Sequence, residues 1–359
     1  MFHRKNRLLL LEILVLVAVG LVMIASSSVY WAELKYNNPW HFVQRQALFA
    51  ILGLIAMNLT SHLDLNRLRA YNKPILALCF IALVLVLIPG LGVQRNGSRS
   101  WFGVGSFLVQ PSEFFKLALI VTVSDHLAGR ERVKSLRKDL WVPLVLTGAG
   151  FALILMQPDF GSGLVMVCSI VVIVLASGAP MRYFVRLALL GGVGLSGLIL
   201  AAPYRLARIT SFLDPWQDPL GSGFQIIQSL FAIAPGGLLG AGLTRSMQKH
   251  FYLPEPQTDF IFAITAEELG WIGSMLVILV YLLIIGEGVR IAKQARDPFL
   301  CYVAVGIISL FAIQVMINLG VVVGLFPVTG ITLPLMSYGG SSLVMIMASL
   351  GILMSIAKS

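Results

Sequence analysis

Asp259 follows the run Pro254-Glu255-Pro256-Gln257-Thr258 and precedes a long apolar stretch. Thr258 already offers a hydroxyl able to cap a helix there, so the carboxylate has no capping task. A charge at the edge of an apolar segment normally faces a partner or a cavity. At helical spacing Asp259, Ala263, Ala266 and Gly270 form a stripe of small residues, leaving room beside the carboxylate for a ligand or a close helix. Glu267 and Glu268 fall on other faces at about 100° per residue and are expected to be structural. Asp159, in Gln157-Pro158-Asp159-Phe160-Gly161, stands at a break between two apolar runs, as an N-cap or as a ligand-facing acid. Carboxylates beside cations at a membrane edge are suited to hold an anion next to a proton acceptor.

The cations that fit this picture are few. Glu113 and Lys116 share a helix face at i, i+3. Pro111 suits the helix start and Glu113 complements the helix dipole, whereas Lys116 opposes it, so Lys116 either neutralises Glu113 or binds an anion. Arg45 lies at the mouth of the second apolar run. Trp101 stands in residues 91–111, a glycine-rich polar segment with an Asn96-Gly97 turn that predicts a short hairpin-like cap. Membership of the interfacial aromatic belt is the alternative task for Trp101.

The elements that must position these residues are membrane spans. Of 359 residues, 58% are apolar and 12% charged, which excludes an ordinary soluble domain and a disordered chain. Ten apolar runs are long enough to cross a bilayer or nearly so: residues 8–29, 42–61, 74–90, 112–128, 141–157, 160–177, 184–203, 259–286, 299–323 and 340–357. The fifth and sixth are short and could form one kinked segment across Pro158. With ten spans, seventeen of the 26 Lys and Arg fall on the side of the termini, which places both termini in the cytoplasm. Merging the two short runs would reverse that bias in the second half. The net charge of +10 is thus a topology signal, with no nucleic acid implied. The first run is too long for a cleavable signal and reads as a span. Cys79, Cys168 and Cys301 lie in separate apolar runs and read as inert packed thiols.

Residues 204–258 form an unusually long outward segment rich in Pro and Gly. Within it Phe224 to Ala234 is apolar but too short to span, which predicts an interfacial or re-entrant helix. The last outward segment, Gly324 to Ser342, carries no charge and is expected to fold back into the bundle. The fold class is therefore all-α: one polytopic membrane domain over residues 1–359.

Four segments together resemble the shape, elongation, division and sporulation (SEDS) family, which includes RodA, FtsW and SpoVE. They are Asn96-Gly-Ser-Arg-Ser-Trp101 with Gln110-Pro-Ser-Glu-Phe-Phe-Lys116; Gln157-Pro-Asp-Phe-Gly161; Phe251 to Phe262 with Glu267-Glu-Leu-Gly270; and Asn318 to Ser342. Short tails lean towards RodA, while Phe212 to Pro219 looks equally like FtsW or SpoVE. The resemblance implies a peptidoglycan glycosyltransferase that polymerises lipid II at the outer face of the bacterial cytoplasmic membrane, beside a class B penicillin-binding protein. It implies Asp259 as the catalytic acid-base residue and Trp101 as an important loop residue. Arg45 and Lys116, with Arg99 or Arg208 in reserve and Glu113 paired to Lys116, are then expected to meet the pyrophosphate. Asp159 would orient a sugar or, with Asp259, hold a divalent cation such as Mg or Mn. The run departs from many relatives in carrying Ser100 where they have a second basic residue. A flippase for the same lipid and a non-catalytic scaffold are the alternatives. Clustering of the candidates on one face favours surface chemistry over a through-path.

Overall fold

The computed structural model describes residues 4–95, 97–104, 107–130, 135–200 and 210–359. Ten apolar helices occupy the ten expected runs: α1 (Arg4–Tyr36), α2 (His41–Thr60), α4 (Asn72–Leu85), α5 (Pro111–Ala128), α6 (Trp141–Met156), α7 (Phe160–Ala176), α8 (Met181–Leu200), α10 (Ile261–Gln294), α11 (Pro298–Val322) and α12 (Gly340–Ile356). Among the described residues two further α-helices lie between them, α3 (Leu65–Ala70) and α9 (Phe224–Ile233). Large apolar side chains such as Ile51, Ile55, Leu78, Ile81, Leu279 and Leu282 remain exposed on the helix faces. Such faces suit a chain whose solvent is lipid and whose backbone polar groups are satisfied within helices.

α6 and α7 are separate antiparallel helices, since a Cβ on Gly163 would meet the Phe151 ring at 2.8 Å across the turn at Pro158. That removes the single kinked segment and keeps the even number of spans. α4 stops at Leu85, earlier than the expected end near residue 90. Tight turns at Leu87 and Ile88 redirect the chain there, and Gly92 packs so closely on the Val86 carbonyl that any side chain would clash.

α11 sits centrally, packed against α5, α7, α10 and α12. Both termini lie at one end, where the Asn6 side chain donates to the Met354 carbonyl. The opposite end, called distal below, is where α2, α5, α7, α10 and α12 begin. The expected cap is there too, as three antiparallel strands: β1 (Val93–Arg95), β2 (Ser98–Val104) and β3 (Phe107–Val109). α9 packs on α10 and α11, and Ser229 donates to the Val322 carbonyl at 2.7 Å, so this short apolar helix lies at the distal end.

One expectation about α10 is corrected. Asp259 lies two residues before the helix, and Gly270 is non-helical (φ 66°), so the small-residue stripe is not one continuous helical face. The break frees the carbonyls of Glu267 and Glu268, which accept from the amides of Ala241 and Gly242. The amides of Trp271 and Ile272 donate back to Gly237 and Leu238. A Cβ at Gly270 would stand 2.2 Å from the Gly240 nitrogen. The small residue serves close approach of the chain's own backbone rather than a ligand.

Candidate active site at the distal end

Residues 324–339 fold back into the bundle, as their lack of charge requires. Ile331, Leu333, Leu335 and Met336 are buried, and a Cβ on Gly20 of α1 would meet the Met336 backbone at 2.7 Å. Three helices, α10, α11 and α2, send a polar group to this segment: Tyr281 donates to the Pro334 carbonyl at 2.6 Å, Gln314 to Thr332 at 3.1 Å and Gln46 to Ser337 at 2.9 Å. A re-entrant segment is tolerated at membrane depth when its backbone is satisfied this way.

The segment also organises the Asp259 turn. The Tyr338 amide donates to the Gln257 carbonyl at 2.8 Å. Asn318 donates to the carbonyls of Asp259 and Ile331. Thr258 places its hydroxyl 2.7 Å from the Glu255 carbonyl and 2.9 Å from the Asp259 carboxylate. Asp259 is half-buried, with its main-chain carbonyl held by Asn318.

Arg45, from the first turns of α2, hydrogen-bonds the Tyr338 side chain, and Arg95 of β1 is close enough to act on the same phenol. Burial pushes the Tyr338 hydroxyl up from its ordinary value, and the two arginines act in the opposite direction. Arg95 also meets Glu255 at 3.9 Å. Neither Arg95 nor Tyr338 is conspicuous in the sequence: one is an arginine in a loop, the other an uncharged residue in an uncharged segment.

The second acid belongs to an adjoining cluster. Asp159 caps α7 by accepting from the Ser162 amide at 3.1 Å, and its other oxygen accepts from the Gln110 side chain at 2.9 Å. Burial raises its carboxyl above the usual range, against the Ser162 hydrogen bonds and the charge of Lys116. Lys116 is 2% exposed and bonded to Glu113 at 2.8 Å, so the expected pair forms inside the wall of the site. Ser341 ties this cluster to α12, accepting from the Gln110 amide at 3.1 Å and donating to the Leu108 carbonyl at 2.8 Å.

Other candidates are placed differently. Arg99 turns back to the end of α4, within 3.5 Å of the Leu87 carbonyl, and so leaves the group. Trp101 is half-buried on β2 opposite Val93. Ser100, without charge, is buried and donates to the Gln157 carbonyl, as does Ser98. Arg208 lies outside the described residues. Glu267 and Glu268 are structural, as expected: Glu267 accepts from Ser246 and the Met247 amide, Glu268 from Ser26, the Ser246 amide and Lys249. Among the described residues no three His, Cys, Asp or Glu side chains form a metal-binding group. With the Asp159 oxygens engaged by Gln110 and Ser162, the donor set does not fit a resident divalent cation.

Known proteins resemble the chain over nearly its whole length. The family model FTSW_RODA_SPOVE, described as "Cell cycle protein", matches residues 6–359. Stage V sporulation protein E of Bacillus subtilis (strain 168) is 51% identical over 98% of this chain and 96% of its own length. A probable peptidoglycan glycosyltransferase FtsW of Geobacter metallireducens is 39% identical over 99% and 95%. Among solved structures, one described as "Structural coordination of polymerization and crosslinking by a peptidoglycan synthase complex" superposes with a TM-score of 0.82 at 32% identity, covering 98% of this chain and 96% of that one. The rod shape determining protein RodA of Thermus thermophilus gives 0.72 at 29% identity, covering 98% and 95%.

Proposed function

The chain belongs to the SEDS family of FtsW, RodA and SpoVE cell cycle proteins, and from that footing we propose that it polymerises lipid II into peptidoglycan glycan strands through the distal site. It is a multi-pass membrane protein and a peptidoglycan glycosyltransferase. In our reading its termini face the cytoplasm, the distal site faces outward, and a class B penicillin-binding protein is its partner.

Each residue has a task in an inverting displacement. Asp259 takes the proton from the acceptor 4-hydroxyl as that oxygen bonds to the donor anomeric carbon. The bond from that carbon to the pyrophosphate breaks on the opposite face, and the prenyl pyrophosphate leaves with the electron pair. One displacement converts the α-linked donor into a β-1,4 product. A carboxylate is a weak base, so the step depends on stabilising the leaving group as much as on removing the proton. Arg45 meets the pyrophosphate, helped by the N-terminal ends of the helices that begin around it. Lys116 adds its charge from within the wall and keeps Glu113 neutralised, while Asp159 and Trp101 orient the sugars.

The observation that carries the reading is the turn itself. An acid with its main chain pinned by Asn318 stands beside the segment whose Tyr338 is bonded to Arg45. The test is polymerisation of purified lipid II by the chain with its partner synthase. Wild type is expected to make long glycan and Asp259→Ala almost none. Polymerisation by Asp259→Ala at the wild-type rate removes the base assignment. Movement of labelled lipid between leaflets without polymerisation by wild type replaces the enzyme with a transporter.

A further inference from the structure

Arg95 ends β1 opposite Ser98, on the hairpin anchored by Ser98 and Ser100 at the Gln157 carbonyl. Of the hairpin's two arginines, Arg99 turns towards the end of α4, and Arg95 turns towards the Asp259 turn, 3.9 Å from Glu255. At that separation the pair is a charge contact rather than a hydrogen bond. Glu255 belongs to the same turn as Asp259, with its carbonyl accepting from Thr258. Arg45 comes to the same place from α2, hydrogen-bonded to the Tyr338 side chain, and Arg95 is near enough to act on that phenol. Guanidinium binds phosphate oxygens bidentately, and a doubly charged pyrophosphate outcompetes a single carboxylate at 3.9 Å.

We propose that Arg95 is a second phosphate-binding cation of the distal site, held at Glu255 until the pyrophosphate of a prenyl-linked sugar displaces that carboxylate. The proposal rests on the glycosyltransferase reading and adds a residue to it. Release of Glu255 would also couple arrival of the leaving group to the turn that carries Asp259.

The test is equilibrium binding of undecaprenyl pyrophosphate to the full chain in lipid nanodiscs, with undecaprenol as the uncharged control. Arg95→Ala should raise the Kd about tenfold or more, and Arg95→Lys should fall between Arg95→Ala and wild type. Glu255→Gln should bind as well as wild type or better. The swap Arg95→Glu with Glu255→Arg restores the ion pair and the thermal stability without restoring binding. Unchanged affinity in Arg95→Ala, wild-type affinity in the swap, or a loss in Glu255→Gln equal to that in Arg95→Ala overturns the proposal, as does absence of saturable binding by wild type. Lipid II polymerisation measured alongside separates the two claims: glycan synthesis with unchanged lipid binding in Arg95→Ala leaves the enzyme reading standing and removes Arg95 from it.

Discussion

The side-chain nitrogen of Asn318 donates to the carbonyls of Asp259 and Ile331, each at 2.7 Å, and so stitches the turn bearing the acid to the re-entrant segment. Asn318 touches no reacting atom in the mechanism above; its task is position. Asn318→Ala should cost about 1–3 kcal/mol of stability through two lost buried hydrogen bonds. It should also lower kcat about tenfold with little change in KM, because the acceptor still binds beside a misplaced base. Steady-state polymerisation with a parallel thermal melt checks this, and a purely structural role would show the melt shift alone.

Lys116 and Glu113 are buried together, at 2% and 7% side-chain exposure. Removing one partner strands the other charge, so Lys116→Met should destabilise by about 3–5 kcal/mol. Adding Glu113→Gln should recover most of that stability, since a neutral pair avoids the desolvation cost. Activity should stay low in the double variant, because the field of Lys116 at the site is lost either way. Thermal unfolding in detergent beside lipid II polymerisation separates the two effects.

Asp159 supplies a pH dependence. Burial raises its folded carboxyl above the ordinary value near 3.8, so between the two values the folded chain binds more protons than the unfolded one. Stability from this group is therefore greatest in acid and declines as pH rises through the raised value. Asp159→Asn removes that cost while its carbonyl still accepts from the Ser162 amide. Its melting temperature should exceed that of wild type at neutral pH, with the difference shrinking as pH falls towards 3.8. A difference that grows in acid would refute the assignment.

What could be read from the sequence was what depends on local pattern. The ten helices follow apolar runs; the Lys116 pair follows an i, i+3 spacing; and the uncharged segment after Gly324 had to be buried. The relatives above carry sporulation, glycosyltransferase and rod-shape names, and tail length does not choose among them. The break at Gly270 was illegible because it depends on residues 237–242, whose backbone replaces the helix's own partners. The opposite turns of Arg95 and Arg99 were hidden for a similar reason, since each is decided by its long-range neighbour, Glu255 or Leu87. Asn318 and Gln314 did give a signal, as amides within an apolar span, but carried no charge to mark them.

Lys249 and Glu268 form a second buried ion pair among the described residues, 3.0 Å apart at 2% and 0% side-chain exposure, with Ser26 of α1 bonded to both. The pair fastens the chain between Ser246 and Asp259 to the α10 segment just before its break, so the approach to the acid is anchored at both ends. Lys249→Ala leaves Glu268 uncompensated and should cost about 3–5 kcal/mol. Lys249→Met with Glu268→Gln should recover the global melt, because two buried charges are replaced by groups of similar size. It should not restore the anchor, and the chain around exposed Arg245 should open more often. Limited trypsin digestion reads this directly: cleavage after Arg245 should quicken in the double variant at unchanged melting temperature, with kcat falling in step. Equal cleavage rates in wild type and double variant would mean that the backbone pairing of residues 237–242 with α10 holds the segment without the ion pair.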